Sequence, residues 1–202
     1  MIKAVIFDLG GVLIEDVLYQ LSGEIALKEK LNQDTLFEVI HGRYWRLFRT
    51  NKLSEEKFFG NAKKDLKLKT SIKSLKAMAR KYTKINQKVL KIIKKLKRNY
   101  PLYAFNNEAK PWNEFKKNKY KLNKLFVKLV SSCDERLDKP NPLFYKRLMK
   151  RIKQNPRNCI FIDDKAENLK PARKLGMQTI LFKSVEQLIK DLNKAGIKNI
   201  TV

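Results

Sequence analysis

The chain has 202 residues, of which 46 are Lys or Arg and 20 are Asp or Glu, for a formal net charge of +26. At roughly 100 to 200 residues per domain, this length holds one domain with at most a sizeable insertion and excludes an enzyme built of two ordinary domains. Apolar residues make up 43%, enough for a real core, so wholesale disorder is excluded and the charge must sit on a folded surface.

In chain order, Lys3 to Phe7 is a short apolar run rich in branched residues and predicts a first strand. From about Glu15 to Tyr82 no strand is predicted, but helical spacing recurs. It is carried by Leu36, Val39, Ile40 and Tyr44, then Phe58, Phe59 and Ala62, then Ile72, Leu75, Met78 and Tyr82, with Ser54 as a favourable helix start. The expected organisation is therefore a core of residues 1–14 and 83–202, interrupted by a helical cap insertion at 15–82. Between Ile85 and Leu96, the residues Ile85, Val89, Ile92, Ile93 and Leu96 fall on one face while Lys84, Lys88, Lys91, Lys95 and Arg98 point outward, which predicts an amphipathic helix with a basic back. Further strands are predicted at Leu102 to Phe105, more weakly at Phe126 to Val130, and at Cys159 to Ile162 and Thr179 to Phe182. Helices are predicted through Phe144, Leu148, Met149 and Ile152 after Asn141-Pro142, and through Leu188, Ile189 and Leu192 before Gly196. Short apolar strands alternating with such helices predict an α/β fold, a mostly parallel sheet with helices on both faces.

The charge is uneven. Residues 1–50 hold 6 basic and 7 acidic residues, 51–100 hold 17 and 3, 101–150 hold 12 and 5, and 151–202 hold 11 and 5. Two readings stay open: lysines decorating solvated faces, or a surface that attracts polyanions. The first is preferred because the lysines are spread over several predicted helices. Cys133 and Cys159 are too few for a disulfide framework or a zinc cluster and fit a reducing compartment. No stretch approaches the roughly 18 to 20 apolar residues of a membrane span, and the N-terminus opens into an apolar run with no signal-peptide pattern, so a cytoplasmic protein with no membrane partner is expected.

In an open parallel sheet, ligands bind beyond the carboxyl ends of the strands. Asp8 ends the first run in Phe7-Asp8-Leu9-Gly10-Gly11-Val12-Leu13, Asn106 and Asn107 end the second, Lys139 follows the third in Asp138-Lys139-Pro140, and Asp163-Asp164 end the fourth. A carboxylate nucleophile, two carboxylates for a hard cation, an ammonium and amide donors form a coherent set for phosphoryl transfer.

With these motifs in this order, the sequence resembles the haloacid dehalogenase superfamily, in particular phosphatase-like members with a helical cap after the first strand. The stretch Phe161-Ile162-Asp163-Asp164-Lys165-Ala166-Glu167-Asn168-Leu169-Lys170-Pro171-Ala172-Arg173-Lys174-Leu175-Gly176-Met177 is similar to the acidic motif of the N-terminal phosphatase domain of soluble epoxide hydrolases, and the Lys139 to Tyr145 stretch Lys-Pro-x-Pro-x-x-Tyr supports it. The resemblance implies a Rossmann-like core in which Asp8 attacks phosphorus and forms an aspartyl-phosphate. It implies Mg²⁺ held by Asp8, the Gly10 carbonyl and Asp164, with Asp163 as an outer or water-mediated partner. Asp164 is preferred over Asp163 because Ala172 and Gly176 follow it by 8 and 12 positions, the spacing of the family motif. Lys139 would neutralise charge between Asp8 and the phosphate, Asn106 would donate to a phosphate oxygen, and Asn168 would orient Lys139 or Asp163. Asn107, Gly11, Trp45 and Arg46, with Arg49 as the alternative to Arg46, are the expected substrate contacts. Trp112 and His41 are weaker neighbours of the site.

Two departures qualify the resemblance. Gly10 stands where the family's acid-base Asp is expected, leaving Glu15 or Asp16 as proton sources, and Asn106 stands where Ser or Thr is usual. The expected function is a Mg²⁺-dependent phosphatase acting on a small phosphorylated metabolite. The alternatives are a weakened or non-catalytic binding protein of the same fold and, less favoured, a nucleic-acid binder using its basic faces. The oligomeric state is not legible in the sequence.

Overall fold

Every predicted apolar run becomes a strand. The computed structural model describes residues 1–197, in which β1 (Ala4–Phe7), β2 (Leu102–Asn106), β3 (Lys128–Ser131), β4 (Cys159–Asp163) and β5 (Gln178–Leu181) form a parallel sheet of order β3-β2-β1-β4-β5. β1 lies at the centre, with Phe7 opposite Ala104 on one side and Ile162 on the other, so Asp8 emerges level with the ends of β2 and β4. This register brings the strand-end residues of the three central strands to one edge.

Side chains alternate across the sheet because successive strand residues point to opposite faces. Val5 and Phe7 pack with the helices α6 (Gln87–Leu96) and α11 (Val185–Lys194), and Ala4 and Ile6 pack with α9 (Pro142–Ile152) and α10 (Ala166–Lys174). The predicted helix from Ile85 begins two residues later. Asn86 caps it, its side chain accepting from the Lys88 and Val89 amides, while Ile85 is drawn into an antiparallel bridge with Ile14. Two further helices, α7 (Lys110–Tyr120) and the single-turn α8 (Ser132–Glu135), follow β2 and β3.

Between β1 and α6 the chain forms only helices, namely α1 (Val17–Glu29), α2 (Gln33–His41), α3 (Arg43–Arg49), α4 (Glu55–Asp65) and α5 (Ile72–Lys81). Asp16, Asn32, Ser54 and Ser71 cap α1, α2, α4 and α5 by accepting backbone N–H groups, each satisfying donors that a helix start leaves without partners. Tyr44 does not continue the helix of Leu36, Val39 and Ile40. The chain breaks at Gly42, where a Cβ would lie 2.8 Å from the Glu38 carbonyl oxygen.

These helices share an apolar core of their own containing Leu21, Ile25, Leu36, Trp45, Phe48, Phe58 and Leu75, and it takes in Ala109 and Trp112 from the sheet side. The Trp112 indole N–H donates to Glu55 at 2.6 Å, and Arg80 holds the same carboxylate through two bonds of 2.7 and 3.1 Å. One aromatic residue thus fastens the helical layer over the sheet. No helix among the described residues is long and apolar enough to cross a membrane.

Candidate active site

The loop after β1 is tight because it must pass under a carboxylate. Gly11 has φ +73°, and a Cβ there would lie 2.2 Å from Asp164 Oδ2, so only glycine fits both the backbone and the approach. The turn closes through Leu13 and Ile14 N–H groups donating to the Leu9 carbonyl at 3.0 and 2.7 Å.

Lys139 is the hub. Its ammonium is 3.0 Å from Asp8 Oδ1 and donates to Asp163 Oδ2 at 2.7 Å and to the Phe105 carbonyl at 2.9 Å, with the side chain 1% exposed. The rings of Phe105 and Phe161 flank it, each with its centroid 5.4 Å away. Burial opposes its charge, but the facing Asp163 and Asp8 carboxylates outweigh burial and hold its pKa above the usual lysine value. The Lys139 backbone is gripped by Asn107, whose amide accepts from the Lys139 N–H at 2.8 Å and donates to the Lys139 carbonyl at 3.0 Å. The Lys139-Pro140 peptide is cis.

Asp163 is fully buried and saturated. Besides Lys139 it accepts from the Lys165 N–H at 2.9 Å and from the Asn168 amide at 2.9 and 3.2 Å. The Asn168 carbonyl in turn accepts from the buried Tyr145 hydroxyl. Asp164 is different, because its Oδ1 is buried without any hydrogen-bond partner. Burying a carboxylate without compensation is expensive. Accordingly the Asp164 pKa rises to about 6, through burial and then the neighbouring Asp163 charge. Burial raises Asp8 to about 7, with Asp163 and Asp164 adding to the effect and Lys139 opposing it.

Asp8, Asp163 and Asp164 each offer an oxygen, all within 4.8 Å of one another. A hard divalent cation of the Mg²⁺ kind fits this donor set: it supplies the charge that the raised pKa values demand and a partner for the orphaned Asp164 oxygen. Asp163 is the weakest candidate of the three, since Lys139 and Asn168 already occupy its oxygens.

Asp8, Gly10, Asn107, Lys139, Asp164 and Asn168 line one cavity of about 180 Å³, with Trp45 and Arg49 lining it from the helical layer. Three expected contacts lie elsewhere. Arg46 does not line the cavity; its side chain is 72% exposed and lies 3.5 Å from Asp138. Arg49, about one turn further along α3, lines the cavity instead and binds Asp138 at 2.7 Å. Asn106 is buried behind the wall, its amide donating weakly to Asn113 at 3.4 Å and its own oxygen unpartnered. Gly11 acts by proximity to Asp164 rather than as a wall of the cavity.

Sequence reasoning missed a buried ion pair in the wall. Glu108 and Lys116 bond to each other with side chains 6% and 4% exposed, and both line the cavity beside Trp112. The available signal was Glu108 itself, since no other Asp or Glu lies between Asp65 and Glu114. Lys116 carried none, because Lys117 beside it looks the same in sequence. His41 also lines the cavity, stacked on Phe37 at 5.0 Å. Burial, then Lys165 and Arg49, lower its pKa. Glu15 and Asp16 line the rim.

A family model described as haloacid dehalogenase-like hydrolase matches residues 2–176. Flavin mononucleotide hydrolase 1 of Arabidopsis thaliana is 27% identical over 200 residues, covering 98% of this chain and 78% of that protein. Bifunctional epoxide hydrolase 2 of Rattus norvegicus is 38% identical over 73 residues, 36% of this chain and 13% of that protein. Other curated relatives are longer than the match, the chain spanning 6% to 36% of four of them. In fold, the chain is similar to a crystal structure of a haloacid dehalogenase family enzyme from Bacteroides thetaiotaomicron in complex with magnesium and inorganic phosphate, with a TM-score of 0.74, 24% identity, and coverage of 91% of this chain and 95% of that one.

Proposed function

The chain belongs to the haloacid dehalogenase-like hydrolase family, and from that premise we propose that it hydrolyses small phosphomonoesters through a phosphorylated Asp8. The observation that carries this reading is the Asp8–Lys139–Asp163 triangle, with Lys139 at 3.0 and 2.7 Å from the two carboxylates, beside the unpartnered oxygen of Asp164. Lys139 opposes the effect of burial on Asp8, favouring its ionised form, and offers positive charge where two anions must meet, which is the largest electrostatic obstacle to attack. Asp163, anchored by Asn168, fixes the ammonium. Asn107 fixes the backbone that carries it.

Asp8 and Asp164, with the carbonyl of Gly10, are the residues that would hold Mg²⁺. When bound, the ion would neutralise phosphate charge and align the phosphorus with Asp8. A carboxylate oxygen of Asp8 attacks phosphorus as the ester P–O bond breaks, and the leaving alkoxide takes a proton from Glu15, Asp16 or water at the rim. Water then attacks the aspartyl-phosphate, releasing inorganic phosphate and restoring Asp8 after giving up a proton to the same rim. Gly10 supplies no side chain for these transfers, so a slow enzyme is expected, general acid-base help being worth about 10² to 10⁴ in rate.

The helices α1 to α5 act as a cap, and the cavity of about 180 Å³ restricts the leaving group to a small molecule. A panel of phosphomonoesters, including an aryl phosphate and flavin mononucleotide, assayed with and without Mg²⁺ tests this. Turnover that depends on Mg²⁺ and is abolished by Asp8→Asn is expected. Absence of turnover at every pH, with Mg²⁺ still bound, would leave a ligand-binding module in its place.

A further inference from the structure

From residue 66 to residue 107 the chain holds 13 Lys or Arg and no Asp or Glu. The folded structure divides these cations into two groups. Many are tied to the protein itself: Lys76 pairs with Glu56, Arg80 with Glu55 and Lys81 with Glu24, and the Lys97 ammonium donates to the Lys124 carbonyl. By contrast Lys84, Lys91, Lys94 and Arg98, on or flanking α6, are exposed, and no ion pair or side-chain hydrogen bond involves them among the described residues. Lys121, at the end of α7, joins this group. Lys119 and Tyr120 of α7 both donate to the Thr83 carbonyl, which seats that end of α7 beside the start of α6.

We propose that this outer face of α6, with the adjoining end of α7, is a docking surface for the phosphate backbone of a nucleic acid, bound without regard to base sequence. Lys84, Lys91, Lys94 and Arg98 are seven, three and four residues apart and so fall on one face, the last three at steps of roughly 5 Å along the helix, comparable with the phosphate step of an extended strand. Charge complementarity is the whole of the attraction. The apolar side of α6 (Val89, Ile92, Ile93 and Leu96) is committed to the core, and the exposed large apolar residues of the chain all lie off α6. A face with nothing to insert into lipid suits a polyanion in water and not a bilayer. The nearest opposing carboxylate, Glu186, stands 3.9 Å from Lys88 at the edge of the face. The surface is independent of the chemistry at Asp8.

The test is fluorescence anisotropy with a labelled single-stranded oligonucleotide and a duplex of the same length, over a range of salt concentrations. The triple variant Lys84→Glu/Lys91→Glu/Lys94→Glu is compared with Lys150→Glu/Lys170→Glu/Lys174→Glu, which removes the same charge from α9 and α10 on the opposite side of the sheet. Each neutralised phosphate contributes about 0.7 to 0.9 to the slope of log affinity against log salt, so the α6 variant is expected to lose at least about tenfold in affinity and roughly 2 units of slope. The α9–α10 variant is expected to stay within about threefold of wild type, and Lys→Gln changes at the α6 positions should give a smaller loss in the same direction. The two arms decide whether single strand or duplex is preferred. Equal losses from both triples, no binding of either oligonucleotide at low salt, or stronger binding to phosphatidylserine vesicles than to oligonucleotide would overturn the proposal.

Discussion

Replacing Gly11 by alanine should disable the site while replacing Gly10 by alanine should not, although the two are neighbours in sequence. At Gly11 two penalties combine. The backbone sits at φ +73°, a region that costs a residue with a Cβ about 1 to 2 kcal/mol. The added carbon would also lie 2.2 Å from Asp164 Oδ2 and 2.6 Å from its Cγ, so the carboxylate must retreat by a large part of an ångström. Asp164 is the carboxylate whose Oδ1 has no partner, and a misplacement of about 1 Å in a reacting constellation is worth roughly 10² in rate. Gly11→Ala is thus expected to weaken Mg²⁺ binding in calorimetry, to lower turnover about 100-fold and to lower the melting temperature by roughly 2 to 8 °C, at 2 to 4 °C per kcal/mol for a chain of this size. At Gly10 a Cβ meets nothing within 4 Å, and Gly10→Ala should keep the Mg²⁺ affinity of wild type. If Gly11→Ala binds Mg²⁺ as wild type does, or Gly10→Ala is the more damaged of the two, the assignment of Asp164 as a cation ligand is wrong.

The open space at Gly10 also admits a carboxylate: Gly10→Asp is expected to raise turnover at least tenfold, within the usual worth of about 10² to 10⁴ for an acid-base group, and a fall in turnover would show that another group already does this work. Asp8 and Asp164, raised by burial to about 7 and about 6, bind protons in the folded state that the unfolded chain has already released. Stability without metal should therefore fall as pH rises through those values, and the Mg²⁺-induced rise in melting temperature should be larger at about pH 8 than at about pH 5.5; a metal effect independent of pH would contradict this. In the helical layer, the Thr70 hydroxyl and then the Lys69 N–H lower the Glu29 pKa from 4.5 to about 2. The stabilisation this gives is present above the unfolded value and is lost as pH falls toward about 2, so Glu29→Gln should melt below wild type at neutral pH, with the gap closing in acid. A gap that persists in acid would mean that the glutamate acts through something other than its charge.

The site was legible where it depends on strand ends. An apolar run that stops at a carboxylate places that carboxylate at the edge of the sheet, and register does the rest for Asp8 and Asp163. The run of helices between β1 and α6 was legible from the absence of any period-two pattern between Glu15 and Tyr82. Helix phase across a distance was not. Arg46 and Arg49 carry the same charge on the same helix and both approach Asp138, at 3.5 and 2.7 Å, so only their different directions around the packed helix decide which one reaches the cavity. Glu108 and Lys116 were not singled out because burial of an ion pair is a property of the packed molecule, not of a hydrophilic stretch. Asn106 was expected to face the phosphate, yet as the last residue of β2 it is buried against Asn113.

Trp112 belongs by sequence to the sheet and by packing to the helices above it, with ring centroids 5.3 Å from Trp45 and 5.7 Å from Phe48. Pulling the layers apart would strip that indole of its aromatic neighbours and leave Glu55 and Arg80 holding only each other. The two layers should therefore melt as one cooperative unit, giving a single calorimetric peak.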